Sequence, residues 1–496
     1  MDDGPAEGAV RLESFVPEFV VHRLARPGST EGPSEELIPA VALEADVVGF
    51  TAMTEAFAQD SSSGSEQLSA RLQQTFGELD RIVHQSGGSI VNFMGDALLA
   101  VWRVGDDSDL QQAARAAIWA GNAIQSRGVS TDGDTNGLAF RVAIGVGRAW
   151  LVAAGGHDGS WIPIAGGDAI EQLEPTLDDA EPGEVVLSPE AATLLDLDDR
   201  HVTTGQGLQE EEVAPPTVPD TVVPAPDPAL LHPFVPAIVR ARHQAGFLDS
   251  FAEYRRVSVA FVRLPRVEVD EPDRVAKIQQ LALAFQEAVA TYGGSVVNLL
   301  PDHRGTTAIA VWGAALHVHD DDALRALQAV TALRARLDES GLAVPTQLPA
   351  AVGSGPVFFG DIGGLRSRQY TMVGDAVNRA ARLMNESDGR ILADSETTLA
   401  ARRRIVFEEL ASRPLKGVTG ETRVFTPMAE LAPEVPGRKP IVGRSDEVAQ
   451  ITFELQTISK GESNGRLLVI EGEAGIGKSR LVGHLLDQSQ KLPIRG

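Results

Sequence analysis

The alternation of apolar and polar positions divides the chain into two copies of one pattern. An apolar run typical of a β-strand covers residues 40–50 in the first copy and 256–266 in the second. Each run is followed by a stretch with helical periodicity that ends on glycines, then by a strand hairpin, an alanine-rich helix and a strand with glycines. The pattern therefore predicts two βααββαβ-like units of about 170 to 190 residues each.

The hairpin is the most similar part of the two copies. It reads GGSIVNFMGDALLAVW from Gly87 in the first copy. In the second copy it begins with GGSVVNLL at Gly293 and ends with AIAVW at Trp312. The tight MGDA of the first copy gives way to PDHRGTT, which makes the second hairpin four residues longer. We predict a swollen turn in the second copy.

Changes in composition mark the predicted domain boundaries. Prolines and acidic residues between the copies leave little to bury and indicate a semi-rigid linker. The predicted segments are an N-terminal segment (1–37), a first domain (38–204), a linker (205–230), a second domain (231–428), a second linker (429–440) and a last segment (441–496).

Composition narrows the possible partners and location. The chain has 496 residues, no cysteine and a formal net charge of −26. That charge disfavours binding to nucleic acid, and the lack of cysteine excludes disulfides, thiolate metal sites and thiol nucleophiles. No run of about 18 apolar residues is long enough for a membrane span, and the N-terminus has no signal-peptide pattern. We therefore expect a cytoplasmic protein that binds neither nucleic acid nor membrane.

The last segment contains a phosphate-loop pattern. Gly472, Gly477, Lys478 and Ser479 fit GxxxxGK[ST] after an apolar strand and before a predicted helix. In that setting main-chain N–H groups surround phosphates and the lysine reaches them. The sequence shows no later strand with a second acidic motif. We interpret the segment as the truncated start of a regulatory NTPase domain, without hydrolase activity of its own.

Two aspartates of the first copy are candidates for metal binding. Asp46 ends the first strand and Asp96 lies at the tip of the hairpin, so adjacent antiparallel strands could bring the carboxylates together. A divalent metal would remove their repulsion, and oxygen ligands suit Mg²⁺ or Mn²⁺. The VVGFT segment, with Gly49, Phe50 and Thr51, offers N–H groups to a polyphosphate. Alternatively, Asp46 caps a helix and Asp96 fills a turn.

The second copy has an Asn and an Arg on one predicted helix face. In QYTMVGDAVNRAARLMN, Asn378 and Arg382 are four residues apart and lie on the same side of a helix. Such a pair can orient a sugar and neutralise a transferring phosphoryl group. The alternative is a solvated helix face that contains an Arg. The spacing leaves both interpretations open.

Several ordered motifs together resemble the class III nucleotidyl cyclases. They are ADVVGFT, the GDALLAVW hairpin, YTMVGDAVNRAARL and the closing RPLKGVTGETRVF. The tandem arrangement, the FVPEFVV opening and the trailing phosphate loop are similar to the bicarbonate-regulated soluble adenylyl cyclases and their bacterial relatives. The resemblance covers residues 12–428 and continues into the phosphate-loop segment.

The resemblance implies an α+β fold. Two ferredoxin-like domains would pack head to tail as an intramolecular pseudo-heterodimer, monomeric overall, ahead of the NTPase segment. It also implies that ATP is converted to 3′,5′-cyclic AMP and pyrophosphate by two-metal in-line displacement. Asp46, Val47 and Asp96 would hold two Mg²⁺ or Mn²⁺ ions. Asn378 would position the ribose, and Arg382 would stabilise charge on the α-phosphorus.

By the same resemblance, the substrate site contains Gly49, Phe50, Thr51, Asn298, Thr371 and Met372. Adenylyl cyclases of the family usually have a Lys just ahead of the second-copy hairpin turn, where this chain has Asn298, or Val297 in a shifted register. An Asn both donates and accepts hydrogen bonds, so it can still read adenine. Thr371 fits ATP, and the Glu expected of guanylyl cyclases is missing. The alternative function is a catalytically weak or inactive nucleotide-binding sensory module that regulates the NTPase part.

Each copy lacks what the other retains. Val262 or Arg263 falls where the first copy has Asp46, while Glu171 and Pro175 of the first copy replace the Asn and the Arg. One active site is therefore expected, together with one degenerate site.

In the bicarbonate-responsive members, a Lys and an Arg hold the anion in the degenerate site. Those positions fall here on Asn92 and Glu174. Because a small anion needs compensating positive charge or several donors to leave water, we expect no activation by bicarbonate.

Overall fold

The computed structural model describes most of the two copies and part of the segment that follows. The described ranges are 12–26, 32–49, 64–95, 97–105, 109–128, 138–202, 226–244, 253–314, 318–339, 347–364, 366–415, 421–431, 443–459, 468–470 and scattered positions from 481 to 488. The chain separates into two compact units, Met1–Leu431 and Ala432–Gly496. None of the helices in the described ranges combines the length and the apolar character that a bilayer-spanning helix requires.

The first copy folds around one mixed sheet. Its strands are β1 (Ser34–Val48), β2 (Ser89–Met94), β3 (Ala97–Arg103), β4 (Ala139–Gly155), β5 (Trp161–Gly166) and β6 (Val185–Leu187). The strand order is β2-β3-β1-β4-β5, all antiparallel, and β6 pairs in parallel with β4. The described helices of this copy and of the N-terminal segment are α1 (Glu18–Leu24), α2 (Gly64–Gln85), α3 (Leu110–Gly128), α4 (Asp168–Glu171), α5 (Leu173–Asp178) and α6 (Pro189–Leu194).

The second copy repeats this strand order and adds a hairpin at one edge. Its strands are β7 (Glu253–Leu264), β8 (Ser295–Asp302), β9 (Gly305–Trp312), β10 (Ala350–Gly363), β11 (Arg368–Val373), β12 (Ile391–Ala393), β13 (Ile405–Pro414) and β14 (Glu421–Glu430). They follow the order β13-β14-β12-β10-β7-β9-β8, and β11 pairs with β10. The described helices are α7 (Pro228–Leu231), α8 (Ala237–Gln244), α9 (Arg274–Thr291), α10 (Asp322–Glu339), α11 (Asp375–Asn385) and α12 (Ser395–Ala401).

Alternation along β1 divides its side chains between two cores. Val41 and Leu43 belong to a core formed with residues of α2 and α3. Ala40 and Ala42 belong to a different core, which also contains Phe261 of β7. Because successive residues of a strand point to opposite sides of the sheet, one strand contributes to the core of its own copy and to the core that the two copies share.

Hydrogen bonds between the copies follow their internal symmetry. Gln73 of α2 donates to the Asp361 carboxylate at 2.9 Å. On the corresponding helix α9, Gln279 donates to the Gly155 carbonyl at 2.7 Å and accepts from the Gly155 N–H at 2.9 Å. Each long helix is thus bonded to the end of the central strand in the other copy.

The repeated GG…VW pattern of the hairpin has a packing reason. In each copy the indole N–H donates to a main-chain carbonyl just after the preceding long helix, at 2.9 Å for Trp102 and 3.0 Å for Trp312. The ring lies against a glycine, so that a Cβ on Gly88 would come within 2.7 Å of the Trp102 ring and one on Gly294 within 2.4 Å of the Trp312 ring. No larger residue fits without moving the tryptophan.

The prediction of a swollen turn in the second hairpin is wrong. Both strands continue in register through the additional pairs Pro301↔Thr306 and Asp302↔Gly305. Only His303 and Arg304 remain for the turn. The added residues therefore lengthen the hairpin and carry its tip further, because each pair satisfies its main-chain groups within the ladder.

The second compact unit contains helix α13 (Ser445–Ser459). Ile451 and Leu455 of this helix form a small apolar cluster with Leu481. The phosphate-loop residues Gly472, Gly477, Lys478 and Ser479 lie outside the described residues. Most of both predicted linkers also lies outside them, so the phosphate loop remains a prediction of the sequence.

Candidate active site between the two copies

The end of β1 brings Asp46 next to the first hairpin. Asp46 is in register with Ala97 of β3, the residue that follows Asp96. Asp96 itself lies outside the described residues, but Gly95 and Ala97 on either side of it are described. The antiparallel pairing of β1 with β3 therefore places Ala97 beside Asp46, and the proximity of the two aspartates stays a prediction.

Asp46 has a basic partner that the sequence reasoning did not assign to it. Arg141 of β4 is in register with Asp46 on its other side. Its guanidinium donates to Asp46 Oδ2 through Nη2 and through Nε, the latter at 3.2 Å. The sequence could not indicate this ion pair, because the two residues are far apart in the chain and become neighbours only through the register of β1 with β4. A cation at Asp46 must share this carboxylate with Arg141 or displace the guanidinium.

The other first-copy residues of the predicted site are only partly described. Val47 is buried in the core, and its side chain has no ligand atom, so it could contribute to a metal site only through its main-chain carbonyl. Gly49 has φ +80°, a left-handed conformation that side chains other than glycine rarely adopt. Phe50 and Thr51 lie outside the described residues.

The second copy presents its candidate residues on α11. This helix begins just after β11 and carries Asn378 and Arg382 one turn apart on one face, as predicted. Asn378 lines a cavity of about 400 Å³. Arg382 is half-buried, and within the described ranges its guanidinium has no hydrogen bond or ion pair. None of the described residues therefore accepts a hydrogen bond from its five donors.

The cavity brings residues of both copies together. From the first copy it is lined by Glu44 and by the hairpin through Gly95, next to Asp96. From the second copy it is lined by the predicted substrate residues Asn298, Thr371 and Met372 and by Asn378. Asp46, Gly49 and Arg382 are not among its lining residues. Glu174, Arg263, Asp302 and Arg304 also line the cavity, so it extends from the candidate substrate residues to the degenerate site.

Asn298 forms a hydrogen bond with its counterpart in the first copy. Its Nδ2 donates to Asn92 Oδ1 at 2.8 Å, and its own Oδ1 accepts from the Leu299 N–H at 3.1 Å. Both hairpins have a register shift just before this residue, so Asn92 and Asn298 are equivalent positions of the two copies. A base that is read by Asn298 must compete with these two bonds.

Gln369 also connects the two copies at this end of the cavity. Its Oε1 accepts from the Phe93 N–H of the first-copy hairpin at 2.8 Å. Thr371, two residues further along β11, is buried and in register with Gly360. Sequence reasoning missed Gln369, although its position two residues before Thr371 on the same strand face is the signal that could have indicated it.

The equivalent position to Asp46 in the second copy is Arg263. Arg263 is in register with Thr307, as Asp46 is with Ala97, which excludes the alternative Val262. The Arg263 guanidinium pairs with Asp302 of the lengthened hairpin. The second copy thus has the guanidinium of Arg263 at the position where the first copy has the candidate metal ligand Asp46. This second site cannot bind metal in the same way.

The helix of the first copy that corresponds to α11 is interrupted. It consists of α4 and α5, which separate at Gln172. Glu171 pairs with Arg266 of the second copy, and Pro175 lies in the separate helix α5. The predicted loss of the Asn/Arg pair is therefore accompanied by a division into two short helices, although Gln172 between them keeps helical angles (φ −74°, ψ −19°).

One acidic group near the degenerate site could hold a metal ion. Ligand atoms of Glu174, Asp302 and His303 lie within 4.8 Å of one another. However, Arg304 pairs with Glu174 and Arg263 pairs with Asp302, so both carboxylates already have a positive partner. Burial raises the pKa of the Glu174 carboxyl, which further weakens it as a metal ligand at low pH.

A larger cavity of about 460 Å³ shares a wall with the first. Asn298 and Thr371 line both cavities. Phe15 and Phe234, from the two FVP segments, also line the larger one, whereas Asn378 lines only the smaller one. Because it lacks Asn378, the larger cavity fits the candidate active site less well than the smaller one.

Comparisons with known proteins agree with this architecture. None of the established protein-family profiles matches the chain. The chain is 25% identical to human adenylate cyclase type 10 over 95% of its length, and 24% identical to the rabbit protein over the same share. It spans 32% of the length of these curated relatives.

A solved structure shows the same fold. It is described as a class III adenylyl cyclase-like ATP-binding protein from Pseudomonas aeruginosa and matches with a TM-score of 0.54 at 14% identity. The match covers 74% of this chain and 85% of that one. The predicted α+β class with two cyclase-type copies is confirmed. The chain is thus similar in sequence to adenylate cyclase type 10 and in fold to a class III adenylyl cyclase-like protein, in agreement with the resemblance that its motifs indicated.

Proposed function

We propose that this chain is an adenylyl cyclase that converts ATP to 3′,5′-cyclic AMP and pyrophosphate at one site between the two copies. The observation that carries the proposal is the shared cavity of about 400 Å³. Asn378 and Thr371 enter it from the second copy, and Gly95, next to Asp96, enters it from the first. The relatives named adenylate cyclase support the choice of reaction.

The two copies together form an intramolecular pseudo-heterodimer in this proposal, and the chain acts as a monomer. The first domain (38–204) supplies the acidic residues and the second domain (231–428) supplies the Asn/Arg helix. Bonds such as those of Gln73 and Gln279 across the copies support this arrangement. The equivalent second site is degenerate because Arg263 replaces the aspartate.

Asp46 and Asp96 are the proposed ligands of two Mg²⁺ or Mn²⁺ ions. The donor set fits such ions, since carboxylate oxygens are hard ligands and Asp46 already attracts a cation, Arg141. Bound ions would activate the ribose 3′-hydroxyl and neutralise charge on the triphosphate. Displacement of Arg141 from Asp46 would free its guanidinium to face the negative charge of the phosphates.

The remaining roles belong to side chains of the second copy. Asn378 would hold the ribose so that its 3′-oxygen is in line with the scissile bond. Arg382 would donate to the α-phosphoryl oxygens as charge develops there, and its lack of another partner in the described ranges supports this role. Thr371 and Asn298 would contact the base, which favours ATP.

Measurement of product formation tests the proposal. Purified protein with ATP and Mn²⁺ should form cyclic AMP and pyrophosphate in equal amounts, detected by chromatography and mass spectrometry. The alternative is a nucleotide-binding sensory module without turnover. The Asn92–Asn298 hydrogen bond favours that alternative, because it occupies the group expected to read the base. Tight ATP binding without any product would establish the alternative.

Bicarbonate is expected not to activate the enzyme. Asn92 is bonded to Asn298, and Glu174 is paired with Arg304 from the lengthened hairpin, so neither equivalent position offers a free cation to an anion. Initial rates of cyclic AMP formation would be compared in sodium bicarbonate and sodium chloride at matched pH and ionic strength. A saturable, several-fold stimulation by bicarbonate would contradict this prediction.

The phosphate loop is expected not to take part in cyclisation. Lys478→Ala should leave the rate unchanged, because the loop belongs to a different compact unit from the proposed site. We propose that this unit is part of a regulatory NTPase domain. The variant and the wild type would be compared in the same cyclic AMP assay after their folding has been checked by circular dichroism. A large loss of activity in folded Lys478→Ala protein would show that the loop contributes to turnover.

A further inference from the structure

We propose that Arg379 is a positioning residue that fixes α11, so that Asn378 and Arg382 point into the active site. The inference rests on the proposed function, because it assigns a role to the residue that lies between the two candidates on the same helix. Arg379 is not expected to touch the nucleotide. Its contacts lead away from the cavity, toward the sheet and α12.

The Arg379 guanidinium joins two helices. Its Nε donates to Asp394 Oδ2 at 2.8 Å, and its Nη1 donates to Asp375 in the first turn of α11. Only 16% of the Arg379 side chain is exposed, and 2% of the Asp394 side chain. Asp394 lies immediately before α12 and caps it by accepting from the Thr397 N–H at 2.8 Å. The start of α11 is thus fastened to the start of α12.

Further hydrogen bonds connect this ion pair to the centre of the sheet. The Ser354 N–H of β10 donates to Asp394 Oδ2 at 3.2 Å. The Ser354 hydroxyl lies 2.8 Å from the Thr397 hydroxyl and 2.8 Å from the Ser258 hydroxyl of β7. A polar network in which every member has a partner holds one geometry more rigidly than apolar contacts alone. The position of α11 is therefore defined relative to two strands.

The buried carboxylate depends on Arg379. A buried charge is tolerated only when it is paired and hydrogen-bonded. Although burial by itself would lower the pKa of Arg379, the charges of Asp394 and Asp375 raise it. Loss of the guanidinium would leave Asp394 with only neutral donors, and the network would have to rearrange.

The first copy provides an internal comparison. At the position of Arg379 it has Gln172, and at the position of Asp394 it has Ser188. Within the described residues, the Gln172 side chain bonds to main-chain groups of Val146, at 3.0 and 2.9 Å, and to no carboxylate. The copy that lacks the Asn/Arg pair therefore also lacks the ionic anchor. The ion pair of Arg379 thus occurs in the copy whose helix carries Asn378 and Arg382, which supports a role for it in positioning them.

Helix geometry explains how the anchor acts on its neighbours. Successive residues of an α-helix are about 100° apart, so Asn378, Arg379 and Arg382 have fixed relative directions. When Arg379 is held against the sheet, the rotation of α11 is set, and the directions of Asn378 and Arg382 are set with it. A displacement of about 1 Å from a productive geometry can cost about 100-fold in rate.

The first experiment replaces Arg379 with the residue of the first copy. Arg379→Gln should lower kcat for cyclic AMP formation by about 10- to 100-fold, with the KM for ATP little changed, because alignment is lost while binding contacts remain. Arg103→Gln is the matched control. Arg103 is similarly half-buried and pairs with Glu36 at 2.6 Å near the opposite end of β1. It should lose stability without a comparable fall in kcat, and thermal unfolding would be measured for both variants.

A double-mutant cycle separates positioning from general destabilisation. If Arg379 acts through Arg382, then Arg379→Gln should have little further effect on kcat in an Arg382→Ala background. The conservative variant Arg379→Lys keeps the charge and should recover part of the activity that Arg379→Gln loses. If the fold reductions in kcat of the two single variants multiply in the double mutant, the two residues act independently. That outcome would overturn the proposal.

Hydrogen exchange tests the role of Arg379 without any measurement of cyclic AMP formation. In Arg379→Gln, main-chain amides of residues 375–385 should exchange faster than in the wild type, while Arg103→Gln should leave them unchanged. If the wild type forms no cyclic AMP, the proposed function fails, and faster exchange in α11 still supports the anchor. Unchanged exchange in α11, with or without cyclase activity, would contradict it.

Discussion

Replacing Asp46 or Asp96 with alanine is expected to abolish cyclic nucleotide formation while the fold is retained. Each change removes a proposed ligand of the metal ions, whose stabilisation of charge in such reactions is worth several kcal/mol, or about 1,000-fold or more in rate. Asp46 is half-buried at a strand end, and its one described partner is Arg141. Its loss therefore leaves the half-buried guanidinium of Arg141 without this partner, and water can reach that guanidinium, so we expect only a modest loss of stability.

The measurement is cyclic AMP formation with Mg²⁺ and with Mn²⁺, accompanied by thermal unfolding. Asp338→Ala is a suitable control, because Asp338 is exposed on α10, away from the cavity. It should retain the wild-type rate. If the Asp46→Ala/Asp96→Ala double mutant keeps near-wild-type activity with either metal, these residues are not the metal ligands.

Arg382→Ala is expected to lower turnover far more than it weakens ATP binding. An electrostatic contact aimed at charge that develops in the transition state acts mainly on the barrier, typically by about 100- to 1,000-fold. Within the described ranges, no carboxylate pairs with Arg382. Removing the arginine therefore leaves none of the described carboxylates without its partner. The protein should therefore remain as stable as the wild type.

Steady-state kinetics would separate the two effects through kcat and the KM for ATP. Arg403→Ala, at an exposed arginine between α12 and β13, is the matched control and should behave as the wild type. Arg382→Lys keeps a point charge but loses the planar fork, so an intermediate rate is expected. A variant that changes only the apparent affinity for ATP would show that Arg382 acts in the ground state.

The sequence alone determined the repeat and the order of strands and helices within each copy, and its motifs indicated the resemblance to class III nucleotidyl cyclases. These features depend on local periodicity and on motifs that occur within a few residues of each other. It also indicated which copy has the acids and which has the Asn/Arg helix. The confirmed fold shows that this division of residues lies within two similarly built halves.

Only the tertiary structure decided the partners of those residues. The Arg141 contact with Asp46 and the choice of Arg263 as its counterpart follow from strand register, which the local pattern leaves undetermined. The wrong prediction of a swollen turn has the same cause, since the added residues could pair only once the ladder was known. The Asn92–Asn298 bond joins residues of different copies, which are neighbours only because the two halves pack together. Local periodicity specifies which face of an element is buried, whereas register and packing between halves specify what each side chain meets.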